Sequence, residues 1–138
     1  MTVPTTPFRI TGLDHVVVRA KDIDKMIGFY RDLLGLPVAK HNEALGLWHL
    51  TAGSSMIDLV DINGTLGRTG GAPPGGANNV DHIAIAIEPF DAEALSAYFA
   101  QHGIATDPVK TRFGAQGDGP SIYVRDPEGN AIELKGRR

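Results

Sequence analysis

One short pattern occurs twice in this chain, and it limits the possible folds more than any other feature. Asp14-His15-Val16-Val17-Val18 returns 67 residues later as Asp81-His82-Ile83-Ala84-Ile85. Each copy is a β-rich run, followed by an acidic residue suited to open a helix, Asp22 in the first and Asp91 in the second. A carboxylate there accepts hydrogen bonds from the free N–H groups of the first turn and complements the helix dipole. Self-similarity at a fixed offset marks a repeated structural unit, so the chain reads as two tandem modules.

Within each module the periodicity changes in the same order. Ile23, Met26, Ile27, Tyr30, Leu33 and Leu34 have the spacing of one buried helical stripe, and Phe90, Ala94, Leu95, Tyr98 and Phe99 resemble it. Both runs stop at a glycine before an aliphatic residue, Gly35-Leu36 and Gly103-Ile104, as a left-handed helix cap requires. Strand-like runs follow at Leu36–Lys40, Leu45–Thr51 and Ser55–Asp61, and again at Thr106–Arg112, Ser121–Arg125 and Ala131–Lys135. Asp126-Pro127-Glu128-Gly129-Asn130 reads as a tight hairpin turn. The expected fold is α+β: module 1 at about 10–62, a linker at 63–79 and module 2 at about 80–136, within one domain of 10–138. The linker Asn63–Asn79 holds six glycines and two prolines without a phosphate-loop pattern, and Gly114–Pro120 is a second glycine-rich loop. Each reads as a connector or as a flap over a site.

A strand sends alternate side chains to opposite faces. His15, Val17 and Arg19 therefore share one face of the first strand, and His82, Ala84 and Ala86 share the same face of its repeat. In the closing strands Ile57 and Leu59 oppose Met56, Asp58 and Val60, while Ile132 and Leu134 oppose Ala131, Glu133 and Lys135. One face of each strand is aliphatic and fit to pack beneath a helix; the other carries a histidine or a carboxylate. Four metal-competent groups, His15, His82, Glu133 and Asp58, thus occupy matched positions in a duplicated unit. If the sheets curl, these polar faces converge on one cavity, and small Ala84 and Ala86 leave room for a ligand.

A lone strand histidine is usually structural, but repetition at matched positions raises His15, His82 and Glu133 above that background. Asp58 is weaker and also reads as a surface carboxylate beside Asp61. His41, His49 and His102 lack repeat partners, which favours exposed or packing roles; His49 keeps a second reading as a cavity-lining residue. Arg19 reads either as a clamp for a carboxylate or phosphate or as a plain surface arginine.

Composition removes other classes. Cysteine is absent, so any metal takes nitrogen and oxygen ligands, and disulfides are excluded. A net charge of −3 and a pI near 5.9, with no basic stripe, argue against a nucleic-acid partner. No run is long enough to cross a bilayer, and Met1–Pro7 has no signal-peptide pattern, so the expected location is cytoplasmic.

The Asp14-His15 strand, Phe29-Tyr30-Arg31-Asp32-Leu33-Leu34-Gly35-Leu36, Asp81-His82 and Asp126-Pro127-Glu128-Gly129-Asn130-Ala131-Ile132-Glu133-Leu134 together resemble the vicinal oxygen chelate superfamily. That superfamily holds glyoxalase I, extradiol dioxygenases, fosfomycin-resistance proteins and bleomycin-resistance proteins. The resemblance runs from about Gly12 to Lys135 and is to a two-module, glyoxalase I-like member. It implies paired βαβββ modules forming a cupped, mostly antiparallel sheet around one divalent ion (Ni, Zn, Co, Mn or Fe(II)). It also implies His15 and His82 as nitrogen ligands and Glu133 as an oxygen ligand. Asp58 falls where glyoxalase I has a fourth ligand, though aspartate is shorter by one C–C bond, about 1.5 Å. Arg19 matches an arginine that contacts the glutathione carboxylate there.

The expected activity is that of a lyase or isomerase on a small oxygen-chelating substrate. Glu133 or Asp58 would move a proton between adjacent carbons. The alternatives are an Fe(II) extradiol-type dioxygenase, a transferase of the fosfomycin-resistance kind and a metal-free sequestering protein, the last disfavoured by the intact His-His-Glu set. A homodimer with shared sites is expected, because a four-stranded half-cup cannot close a cavity alone and modules in the resembling enzymes commonly pair across subunits.

Overall fold

In the computed structural model, residues 9, 11, 13–70 and 80–137 are described. The first half runs β1 (His15–Ala20), α1 (Ile23–Ile27), a π-helical turn (Gly28–Leu33), β2 (Val38–Asn42), β3 (Leu47–Ala52) and β4 (Ser55–Asp61). A short 3₁₀ turn at Gly67–Thr69 leads away from it. The second half runs β5 (His82–Ala86), α2 (Ala92–Gln101), β6 (Lys110–Gly114), β7 (Gly117–Arg125) and β8 (Ala131–Lys135). Each half is one four-stranded mixed sheet, in the orders β1-β4-β3-β2 and β5-β8-β7-β6. The outer pairs β1/β4 and β5/β8 are parallel, and the others antiparallel.

The helix starts follow the expected chemistry. Asp22 accepts from the Lys25 N–H and Asp91 from the Ala94 N–H, both at 3.1 Å. Gly35 and Gly103 have φ of 79° and 74°, the left-handed cap that side chains resist. The first helix departs from the single α-helical stripe. After Ile27 it widens into a π turn, and the Leu34 N–H reaches the Phe29 carbonyl five residues back at 2.9 Å. The extra residue per turn buries Phe29 together with Tyr30 and leaves Leu33 and Leu34 half-buried.

Three strand assignments shift. The runs at Leu36 and Leu45 enter their sheet two residues late, at Val38 and Leu47, and the run at Thr106 enters at Lys110. Gly114–Pro120 is not a loop: Gly114 pairs with Gly117, and β7 continues through Pro120, making a tight β6–β7 hairpin. The linker's first residues are pinned to the first sheet. A Cβ at Gly67 would overlap the Asp61 carbonyl, so only glycine fits that approach. The linker beyond Gly70 lies outside the described residues, up to Asn79.

The aliphatic faces of both sheets, with α1, the π turn and α2, form one hydrophobic cluster that includes Met26, Phe29, Tyr30, Leu59, Phe99, Ile122, Ile132 and Leu134. Polar bonds then tie the modules together. The Glu128 carboxylate accepts from the Lys21 and Asp22 N–H groups at 2.8–2.9 Å. The Tyr98 hydroxyl donates to the Leu33 carbonyl at 2.6 Å. The Tyr30 hydroxyl donates to buried Asp126 at 2.7 Å, and burial and that carboxylate push its pKa far above the ordinary tyrosine value. Because the helix-side faces meet in this common core, each sheet turns its polar face outward.

Removing the Tyr30 hydroxyl should therefore loosen the joint between modules. A hydrogen bond to a buried charge contributes about 1.5–3 kcal/mol. Tyr30→Phe should lower unfolding stability by roughly that amount in urea titration, without changing far-ultraviolet circular dichroism.

Candidate metal centre

β5 and β8 lie side by side, with Ala84 opposite Glu133, and this register brings His82 to Glu133. His82 Nε2 stands 3.1 Å from Glu133 Oε1, and the Glu133 side chain is buried. Two donors each about 2.1 Å from a single cation stand roughly 3 Å apart, so this pair has the separation of neighbouring ligands on one ion. The other ring nitrogen, Nδ1, is engaged by Asp81 at 2.8 Å. A carboxylate on the far nitrogen fixes ring orientation and raises ligand basicity.

The same pairing exists in the first module. His15 Nδ1 is 2.7 Å from Asp14 Oδ1, leaving Nε2 forward. That hydrogen bond raises the His15 pKa above the histidine reference; solvent loss opposes the shift, and the charges of Asp58 and Asp14 add to it. Asp58 is 1% exposed, and its Oδ2 lies 2.9 Å from His49 Nδ1, its antiparallel partner on β3. Its other oxygen, Oδ1, is buried and has no hydrogen-bond partner among the described residues. A buried carboxylate oxygen without a donor is costly, and a cation or a substrate proton is the kind of partner it lacks. The residues present therefore fit a divalent ion with nitrogen and oxygen ligands.

One chain does not gather them. Among the described residues no group of three or more histidines and carboxylates converges. His82 and Glu133 face one way on the second sheet; His15, Asp58 and His49 share the polar face of the first. Arg19 points from that face to the linker, where its guanidinium donates to the Gly67 carbonyl and packs on Gly70. His41 stacks on Trp48 at 3.6 Å between ring centroids, and His102 caps α2 against Tyr98, so both take packing roles.

Tyr123 was not among the residues singled out from the sequence. Its hydroxyl is 3.3 Å from both Glu133 Oε1 and His82 Nε2. Burial and the Glu133 charge raise its pKa, so it stays a donor to that carboxylate. Arg112 lies 4.6 Å over its ring. Tyr123 pairs with Glu133 across β7 and β8, and the alternation that placed Glu133 would have found it had the hairpin register been known.

Paired modules of this kind, with a histidine on the first strand of each half and a carboxylate on the last, define the class of small proteins to which the chain belongs. The chain belongs to the Glyoxalase/Bleomycin resistance protein/Dioxygenase superfamily, whose family model matches residues 12–134. It is 37% identical over 127 residues to the glyoxalase domain-containing protein RDO1 of Mycosarcoma maydis, covering 91% of this chain and 68% of that protein. It is 33% identical to the virulence protein STM3117 of Salmonella typhimurium, covering 91% and 83%. The crystal structure of STM3117 superposes with a TM-score of 0.69 at 26% identity, over 95% of this chain and 100% of that one. The glutathione transferase FosA of Serratia marcescens is 25% identical, over 91% of this chain and 80% of that protein. No helix among the described residues is long and apolar enough to cross a membrane.

In metal-free protein followed by NMR, His15 should titrate above the ordinary histidine value of about 6.5, and Asp14→Asn should bring it down. The sign follows from competition with protons. Cation binding at His15 should weaken as pH falls through that raised value, and the loss should begin at lower pH in Asp14→Asn.

Proposed function

We propose that the chain is a divalent-metal-dependent enzyme of glyoxalase I type, a lyase or isomerase on a small oxygen-chelating substrate, with its site shared between two copies. The carrying observation is the repeated carboxylate on Nδ1 at His15 and His82, with Nε2 of the second at ligand spacing from Glu133. The two modules, about 10–62 and 80–136, act as one domain in which each contributes half of two sites.

The sheet edges support sharing. Among the described residues β1 and β5 are end strands, each with one neighbour, and both carry a proposed ligand histidine. Apolar Leu13, Val17 and Val80, at or beside these edges, are 89%, 45% and 55% exposed. Unpaired edges with apolar flanks favour pairing with another chain. Laid edge to edge, β1 of one copy and β5 of another put His15 and Asp58 beside the partner copy's equivalent of the second half-site, and a two-fold axis makes two such sites.

The ion would be held by His15, His82 and Glu133, with Asp58 near it. When bound, it supplies a Lewis acid that offsets negative charge on adjacent substrate oxygens. Tyr123 holds Glu133 in place as a ligand. Asp58 is better suited to move the proton between neighbouring carbons, because Oδ1 is unpartnered and His49 fixes Oδ2. His49, beside Asp58 on that face, orients substrate, and Arg19, drawn to the Gly67 carbonyl, frames its linker side.

Calorimetric titration with Ni, Co or Zn should give one ion per chain, and light scattering twice the 14.7 kDa chain mass. His82→Ala and Glu133→Ala should each abolish tight binding. Asp58→Ala should weaken it less but stop turnover of an α-oxo aldehyde–glutathione hemithioacetal. Mixing His15→Ala with Glu133→Ala chains should restore one intact site per mixed dimer. A monomer with full metal occupancy would falsify the shared site, and tight binding by both single variants would remove the ligand assignment.

A further inference from the structure

Of the five lysines, only Lys135 is buried, at 8% exposure. It lies on β8 two residues beyond Glu133, so its side chain leaves on the same face, about 7 Å along the strand. Its cross-strand partner is Ser121. The aliphatic stem runs over Gly114, where a Cβ would stand 3.1 Å from Lys135 Cε, and the ammonium lies beside Gly119, where a Cβ would stand 3.1 Å from Nζ. The two glycines of the β6–β7 hairpin thus open a slot that admits this side chain.

The partners within that slot are all neutral. Nζ donates to the Gly117 carbonyl at 2.8 Å and to the Gly136 carbonyl at 3.4 Å. Among the described residues no carboxylate forms an ion pair with it. Nearby Arg112 differs: it donates to Ser121 Oγ at 2.7 Å and meets Asp107 at 3.3 Å, so its charge is answered. An ammonium taken out of water needs an opposite charge or a full set of acceptors. Among the described residues, two carbonyls, one of them distant, are the acceptors of Nζ, and no carboxylate answers the charge of Lys135.

We propose that Lys135 is the subsite for an anionic group, a carboxylate or a phosphonate, carried by the substrate whose adjacent oxygens reach the His82–Glu133 pair. The inference rests on the metal reading for the position of the substrate, but not for the anion. It narrows the substrate to chelating molecules with a negative charge on the far side from the reacting carbons. Lys135 orients that molecule and takes no part in moving protons.

The test uses the purified protein with ¹³C-labelled lysine, titrated with methylphosphonate and with acetate, each with and without zinc. One lysine signal, identified by its loss in Lys135→Arg, should shift saturably with at least one anion while the other four stay fixed. The preferred anion tells which charged group the subsite takes. Lys135→Met should weaken that binding about tenfold or more, the usual effect of losing a charge-assisted bond, and Lys135→Arg should retain most of it. An unmoved Lys135 signal, or equal anion affinity in a folded Lys135→Met, overturns the subsite; if Lys135→Met does not fold, the wild-type signal decides. Wild-type protein that binds either anion but no divalent ion overturns the metal reading and leaves the subsite standing.

Discussion

Each sheet has only one apolar face, and the common core uses both. The placement of the polar faces follows from that burial. Ile57, Leu59, Ile132 and Leu134 meet the helices and one another in a single cluster, and full burial of such side chains stabilises by about 1.5–3 kcal/mol each. Turning one module over to bring its histidine toward the other would expose that cluster and submerge His15 or His82 with their carboxylates. The apolar contribution favours the common core, so the histidine-bearing faces lie away from it. The same geometry leaves β1 and β5 as sheet edges among the described residues, the feature on which the proposed sharing between copies rests.

Much of this was legible in the residues, because duplication supplies an internal control. Asp22 and Asp91, Gly35 and Gly103, and the alternation around Asp58 and Glu133 each appear twice, and all took their expected local geometry. The failures were local or relational. The π turn escaped because Met26, Ile27 and Tyr30 fit an α-helical stripe equally well, and only the burial of Phe29 distinguishes the two. Gly114–Pro120 read as a loop because glycine and proline are poor strand formers, whereas here the glycines are needed to seat Lys135. Tyr123 stands opposite Glu133 as His49 stands opposite Asp58, but the two residue types differ, so the signal that exposed the histidines was silent for it. How the modules face one another depends on bonds such as Tyr30 to Asp126, 96 residues apart, which no periodicity encodes.

Asp14 and Asp81 contribute little by themselves to holding the fold, since exposed ion pairs are typically worth no more than about 1 kcal/mol. Their side chains are 92% and 96% exposed. Their effect is on orientation: each holds Nδ1 and thereby commits Nε2 to the cavity face. A mutation at either should leave the protein folded and release the histidine beside it, so in the proposed centre the aspartates act through the rings they hold.

The π turn has an evolutionary reading. A π segment is an α-helix that has accepted one more residue without lengthening its neighbours, so relatives with and without it would differ by a single-residue gap within an otherwise continuous helix. Deleting a residue such as Gly28 would let the turn relax to ordinary α-helix and rotate its N-terminal side by about 100° relative to its C-terminal side. Met26 and Ile27 could then no longer share the inward side with Phe29 and Tyr30, and keeping them buried would swing away the hydroxyl that reaches across to Asp126. A change that looks minor in an alignment would therefore act on the hinge line between the two halves and alter how they sit together, while leaving every candidate ligand in place.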